Sequence, residues 1–450
     1  MMDDPAASLD RPGNRNAQMR YVLLAAAAGI LTGTVGSFFH LLIDWFQVWP
    51  RLLSEHMSGP LLVVAAALIT MVITVTAAYF VRRYAPEAGG SGVQEIEGAM
   101  LGLRTVHWRR VLPVKFFTGV FAIASGLVLG REGPTIHIGA SFSAALTDTF
   151  KVSETERRGM LGAGAAAGLA CAFNAPLAAI LFIIEETHRH FPYTFRTYMG
   201  IIVAALLSTV MTQIIGGRAP DFSMVVAEPQ IFLLPAFVLL GCLLGVLGVV
   251  LNAGLMRTAA LAAAINGRVR FAFPAIVGLA IGALVILMPL SVTGGEHTVT
   301  FLSEHRKGLM FLLLLAVLRY FTMITSYSAG TPGGIFAPML ALSMCVGLLF
   351  GGLLDAVLPA GTIAPLAFGM AAMGGLFSAS VRAPVVGAVL TLELTGAYTM
   401  VMPLIATCVT ANLVAQWIGG RPIYDQLLEK TLAKAGINPQ AKGPDNTGLA

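Results

Sequence analysis

Charged residues divide this chain into long apolar intervals. Uncharged stretches run from Met57 to Val81, Thr197 to Gly217, Ile231 to Met256 and Phe271 to Val292. As helices rising about 1.5 Å per residue, each is long enough to cross a hydrocarbon layer roughly 30 Å thick. The interval from Tyr320 to Leu354 exceeds what one span needs. An earlier apolar run, Tyr21 to Ile43, has no small-residue cleavage site behind it and reads as a retained first helix rather than a removed signal. The 49 glycines and 23 prolines break these segments into shorter pieces, which a membrane tolerates only where the broken backbone is buried in protein. The pattern predicts an all-α polytopic membrane protein with half-helices and turns inside the membrane region.

Composition narrows the function classes. Hydrophobic residues make up 56% of the chain and charged residues 11%, and the mean hydropathy of +0.80 lies far outside the soluble range. The net charge of +5 is modest and suits basic loops such as His107 to Arg110 better than nucleic-acid binding. Cys171, Cys242, Cys345 and Cys408 sit singly in apolar segments, with neither a disulfide framework nor a zinc pattern around them. The polar first residues and the mildly basic tail after Gly419 are expected on the cytoplasmic side.

The chain contains an internal repeat. Gly168 to Glu186 is similar to Gly375 to Leu394, and in both an Ala-Pro pair leads over the same ten-residue spacing to a glutamate, Glu185 or Glu393. More weakly, Gly130-Arg-Glu-Gly-Pro-Thr-Ile parallels Gly330-Thr-Pro-Gly-Gly-Ile-Phe. The expected organisation is a segment 1–19, a first transmembrane repeat 20–217, a connecting loop 218–228, a second repeat 229–419 and a short tail 420–450. Two carboxylates have no acidic counterpart in this alignment: Glu132 falls opposite Pro332, and Glu186 opposite Leu394. A residue needed only to build a half should recur in both halves, so the unmatched pair is the functional candidate.

Three glycine-rich segments each open an apolar helix, from Gly89, Gly130 and Gly330. Helix N-termini expose backbone N–H groups and a partial positive charge, so several that converge form an anion site without a full cationic charge. Ser91 reads either as an N-cap or as a hydroxyl donor to the ion. The run Gly162 to Gly168 reads as close helix packing. Arg131 beside Glu132 reads as a local ion pair or carbonyl donor. Glu95, Glu97 and Lys115 read as a buried structural network, and His188 and His190 as part of a polar loop.

Together these motifs resemble the CLC family of chloride channels and proton/chloride antiporters, and are most similar to its bacterial exchangers. The resemblance spans nearly the whole chain, on Gly90 to Glu95, Gly130 to Pro134, Ala172 to Glu186, Gly333 to Pro338 and Arg421 to Tyr424. It implies a homodimer in a bacterial inner membrane, each subunit with its own anion path between inverted halves. It further implies that Ser91, Tyr424 and the backbone N–H groups of Ile335 and Phe336 bind the central chloride. The filter segments would be Gly90, Ser91, Gly92, Val93 and Gln94; Gly130, Arg131, Glu132, Gly133 and Pro134; and Gly334, Ile335, Phe336, Ala337 and Pro338. Glu132 matches the family's external gating glutamate and Glu186 its internal proton-transfer glutamate.

An acid at Glu186 is usual in the coupled exchangers and replaced in the passive channels. The resemblance therefore implies proton-coupled chloride antiport without ATP, metal or cofactor; the alternative is a passive chloride channel gated by Glu132. Enzyme chemistry is not expected, because no serine–histidine or paired-aspartate arrangement accompanies these residues. Gln94 departs from the family, which usually has proline there.

Overall fold

The computed structural model describes residues 15–187, 194–217, 229–359 and 362–437, together with Phe222, Met224 and Val226. Expectations for His188, His190, the first 14 residues, most of the loop 218–228 and the end of the tail lie outside them. In chain order the helices are α1 (Arg15–Phe46), α2 (Trp49–His56), α3 (Gly59–Tyr84), α4 (Val93–Met100), α5 (Trp108–Ala124) and α6 (Glu132–Thr149). They continue with α7 (Glu154–Phe173), α8 (Pro176–Thr187), α9 (Phe195–Gly216), α10 (Leu234–Ala264), α11 (Ala272–Leu287) and α12 (Glu296–Glu304). The last are α13 (Leu309–Ser328), α14 (Phe336–Val357), α15 (Pro365–Val381), α16 (Pro384–Thr395), α17 (Val401–Trp417) and α18 (Ile423–Lys434).

Among the described residues 7 helical segments are long and apolar enough to span a membrane. Their outward faces stay apolar: Val64, Leu68 and Val72 of α3 and Leu239, Leu243 and Val246 of α10 are all exposed, as expected for a surface solvated by lipid. The interval from Tyr320 to Leu354 resolves into the end of α13, the glycine-rich break and the start of α14. The four shorter uncharged stretches fall on α3, α9, α10 and α11.

Small residues let the helices approach at backbone distance. A side-chain carbon added at Gly139 of α6 would lie 2.1 Å from the Gly164 carbonyl of α7, and one at Gly168 would lie 2.2 Å from the Thr135 carbonyl. The Gly162 to Gly168 run is therefore a packing surface, as its composition indicates.

The repeat is visible in the backbone. Equivalent helices α7 and α15 both end on a left-handed residue, Asn174 (φ 50°) and Arg382 (φ 75°), each followed by Ala-Pro. The side chain at 382 is tied down, its guanidinium donating to the Asn412 and Gly420 carbonyls. Helices α4 and α12 both start after a left-handed glycine, Gly92 (φ 94°) and Gly295 (φ 102°). Helices α8 and α16 run antiparallel and cap one another. Glu393 of α16 accepts from the Leu177 and Ala178 N–H groups at 3.1 and 2.6 Å, and Glu185 of α8 accepts from those of Val385 and Val386 at 3.3 and 2.9 Å. The two matched glutamates thus satisfy the orphan N–H donors of the opposite half's helix. Antiparallel equivalent elements are what inverted halves produce.

In the alignment by position, α6 and α14 correct the sequence register. Gly130 and Gly334 pair as an antiparallel bridge, and Glu132 and Phe336 each begin a helix whose third residue is proline, Pro134 or Pro338. The counterpart of Glu132 is therefore Phe336, not Pro332. The glycines before the helix had drawn the alignment four residues out of step.

The reciprocal caps give a stability prediction. Glu393→Ala removes the only described acceptor of two N–H groups at the start of α8, one exposed and one partly buried, and should cost about 1 kcal/mol, as cap losses do. Glu393→Gln keeps one acceptor and should cost less. Thermal unfolding of the detergent-solubilised chain checks the order, and a Glu393→Ala melting temperature equal to wild type would contradict it.

Candidate functional site

Three loops that precede α4, α6 and α14 meet at the centre of the molecule. The Gly90 N–H donates to the Thr331 carbonyl at 3.0 Å, and the Gly333 N–H returns a bond to the Gly90 carbonyl at 3.1 Å. Gly130 and Gly334 exchange N–H to carbonyl bonds of 2.9 and 2.7 Å. The glycine-rich openings therefore converge, and the backbone itself locks them together.

Buried cations hold the loops from behind. Lys115 on α5 is fully buried, and its Nζ donates to the carbonyls of Ala88, Gly90 and Ser91 at 3.0, 2.7 and 3.0 Å. Three carbonyl acceptors match the three donors of an ammonium group. Arg319 on α13 does the corresponding work in the other half, donating to the Leu290 and Val292 carbonyls. The expected network of Lys115 with Glu95 and Glu97 is corrected here: Lys115 binds backbone, and Glu95 pairs with Arg104 at 2.8 Å.

Glu132 occupies the centre. It is 0% exposed and its Oε1 accepts from the Phe336 N–H at 2.6 Å. That N–H belongs to the first residue of α14, so a carboxylate sits where a helix start favours an anion. The slot is shaped by the absence of side chains. A carbon added at Gly334 would lie 2.1 Å from Glu132 Oε1, and one at Gly130 would lie 2.0 Å from Oε2. Oε2 has no hydrogen-bond partner among the described residues. The expected local pair of Arg131 with Glu132 gives way to this contact, and Arg131 approaches Glu296 at 3.9 Å instead.

Ser91 and Tyr424 lie on the other side of the slot. They are 1% and 0% exposed, and neither hydroxyl completes a hydrogen bond of normal geometry, although the two are near enough to interact. Ser91 is not an N-cap. That position belongs to Gly92, whose left-handed backbone also leaves room for the His137 ring. Ile335 is the residue before α14, and Ala337 and Pro338 complete its first turn. The ring of Phe336 anchors this turn, packing on Phe173, Phe182, Phe377 and Tyr424 with centroids 6.4, 5.3, 4.8 and 5.8 Å away. Sequence reasoning singled out Phe336 and Tyr424 but missed the aromatic cluster, because its members come from five separate segments and Phe173, Phe182 and Phe377 each read alone as ordinary core.

Glu186, at the end of α8, does not join the slot. It lines a small cavity with Glu97, Val93, Ile136 and Phe182. Tyr424 lies within electrostatic reach of both Glu132 and Glu186. Val93 and Gln94 begin α4, and Gly133 packs its backbone against Ser91.

A larger cavity of about 600 Å³ reaches Gly89, Gly90 and Tyr327 from the α18 end of the molecule. Its walls carry Arg82, Arg104, Arg110, Lys430 and Lys434 against Glu87 and Glu95. Burial, with Lys434 nearby, pushes the Lys430 ammonium down to about 8. The excess of cations attracts small anions to this mouth.

A family model described as "Voltage gated chloride channel" matches residues 73–416. The H(+)/Cl(-) exchange transporter ClcA of Vibrio cholerae serotype O1 (strain M66-2) is 41% identical over 434 residues, 94% of this chain and 92% of that protein. The ClcA of Vibrio parahaemolyticus serotype O3:K6 is 40% identical over 428 residues, 93% of this chain and 91% of its own. A solved slow cyanobacterial Cl-/H+ antiporter superposes with a TM-score of 0.89 at 32% identity, covering 93% of this chain and 99% of that one. Matched along most of its length by the family model and by these relatives, and built on the same fold, the chain belongs to the voltage gated chloride channel, or CLC, family.

Proposed function

We propose that this protein is a proton-coupled chloride antiporter in which Glu132 is both gate and proton acceptor. The observation that carries the reading is the Glu132 carboxylate on the Phe336 N–H at 2.6 Å. A side-chain anion occupies the place that the helix start offers to an ion. Chloride and the carboxylate then compete for one slot. Protonation removes the charge that holds the side chain at the helix N-terminus and lets it withdraw, and chloride enters as it leaves. Exchange follows because each chloride that passes requires a change in the protonation of Glu132.

The central chloride site adjoins this slot and shares its Phe336 N–H, which passes to the ion when Glu132 withdraws; the Ser91 and Tyr424 hydroxyls and the Ile335 N–H complete it. The buried, unbonded hydroxyls support this, since a polar group kept dry without a partner is costly. Dipoles and hydroxyls attract an anion moderately and let it leave, as transport requires. Glu186 passes protons between its own side of the membrane and the region around Tyr424. Its position away from the slot, and the lack of an acid at Leu394 in the other half, support a role separate from anion binding. The relatives' printed activity, H(+)/Cl(-) exchange, agrees with this assignment.

The two halves are residues 20–217 and 229–419, and the protein works as a homodimer in a bacterial inner membrane. Exposed apolar residues at four-residue spacing, Leu206, Val210 and Ile214 on α9 and Ile405, Val409 and Leu413 on α17, support the dimer. Pseudo-equivalent helices bordering the α8–α16 pair give a face that fits an isologous contact.

Purified protein in liposomes under a chloride gradient should move protons uphill. Chloride flux without proton movement would contradict antiport. In the same assay Glu132→Ala should pass chloride without protons, because the slot is then permanently open. Glu186→Gln should keep chloride flux and lose at least about 90% of proton flux. Coupled transport in either variant would remove that residue's role. Gly334→Ala places a carbon on the carboxylate's position. It should lower the number of protons moved per chloride while the chain still folds, and a wild-type ratio would show that the slot does not seat Glu132.

A further inference from the structure

Where α3 ends and α11 begins, two exposed guanidiniums crowd one phenyl ring. The helices pack at backbone distance, because a carbon added at Gly278 or Gly282 of α11 would lie 2.6 or 2.4 Å from backbone atoms of Met71 or Ala66 of α3. Their ends therefore meet. Arg82 of the last turn of α3 and Arg270, just before α11, both lie over Phe271, at 5.1 and 5.0 Å from the ring centroid. Arg82 Nη1 also donates to the Arg270 carbonyl at 2.8 Å, so the two like charges are held side by side. Arg83 adds a third cation at the same helix end, 5.5 Å from the Tyr84 centroid.

No acid answers these charges. Among the described residues none of the three arginines forms an ion pair, and the charge that acts on Arg82 is the like charge of Arg270. Glu87 and Glu95 share a cavity wall with Arg82, but they are taken by Arg110 at 2.6 Å and Arg104 at 2.8 Å. Like charges held together repel, and an anion placed between them turns that repulsion into attraction. Stacking covers the faces of the guanidiniums and leaves their edge N–H groups, which pair well with phosphate oxygens.

The surroundings identify the anion. Val64, Leu68 and Val72 make the exposed face of α3 apolar, and its final turns expose Tyr79, Phe80 and Tyr84. A helix face that passes from aliphatic to aromatic residues and ends in arginines follows the change from hydrocarbon to headgroup. On α11 the exposed Ile276 continues the apolar surface below Phe271. An anion at that depth that also gains from the apolar faces is a lipid phosphate. We propose that Arg82 and Arg270, seated over Phe271, bind the phosphate of an anionic phospholipid whose acyl chains lie along the exposed faces of α3 and α11. The site lies on the outer surface of the subunit, apart from the slot of Glu132.

Native mass spectrometry of the full-length protein, delipidated in neutral detergent and titrated with phosphatidylglycerol, tests the proposal. Phosphatidylglycerol should bind more tightly than phosphatidylcholine. Arg270→Gln should weaken the tightest phosphatidylglycerol site about 5-fold, and Arg82→Gln with Arg270→Gln about 25-fold, from the effect of each surface cation on an anionic lipid. Arg270→Gln leaves the backbone carbonyl that Arg82 binds, so its loss of lipid does not report unfolding. Arg51→Gln removes an exposed cation from α2 and should bind lipid as wild type does. Equal affinity for the two lipids, wild-type affinity in the folded double variant, or an equal loss in Arg51→Gln would overturn the proposal. Displacement of the lipid by an equal concentration of inorganic phosphate would overturn it too, by showing a site for a free anion.

Discussion

The structure turns on a backbone N–H that must be satisfied where water is scarce. The first residue of α14 presents its N–H at the centre of the molecule, where no preceding helical turn can accept it. Glu132 supplies the acceptor at 2.6 Å. Everything around this contact keeps donor and acceptor in register: the exchanged bonds of Gly130 and Gly334, the aromatic packing of Phe336, and the Lys115 ammonium on three carbonyls of the neighbouring loop. A carboxylate in this position gives the helix start the acceptor it lacks. In the proposed mechanism chloride takes the place of this carboxylate at the helix start.

Pseudo-symmetry explains how one chain builds such a centre. Inverted halves bring equivalent helix starts to face one another, and the Gly130–Gly334 bridge is the point where they meet. Structural groups then recur in both halves, as the reciprocal caps of Glu185 and Glu393 do. Lys115 and Arg319 are a second such pair, each a fully buried cation on backbone carbonyls. Groups that break the symmetry carry the proposed chemistry. Across the bridge, an acid in one half faces a phenylalanine in the other, and the asymmetry creates both the anion and its seat.

Much of this was legible in the sequence, for physical reasons. Spans were readable because lipid forbids charge over long intervals. The glycine-rich breaks were readable because only small residues let loops meet at backbone distance. The register of the repeat was not, because the glycines from Gly330 to Gly334 offer several equivalent matches, and the pairing of Pro134 with Pro338 shows only once the helices are placed. Of the two readings open for Ser91 the N-cap one fails, and Lys115 was given the wrong local partners, since sequence proximity does not report that Gly92 takes the capping position or that Lys115 donates to carbonyls. The cluster around Phe336 was invisible, because nothing in five apolar segments records that they converge.

Competition between carboxylate and anion for one slot is the central claim, and the most direct measurement is crystallographic. Crystals of wild type and Glu132→Gln grown at the same alkaline pH in bromide should differ in anomalous signal between Gly130 and Gly334. The account predicts bromide within hydrogen-bonding distance of the Phe336 N–H in Glu132→Gln, and the carboxylate there in wild type. Bromide in that place in wild type with Glu132 still bound to Phe336, or an unfilled slot in Glu132→Gln, would contradict it.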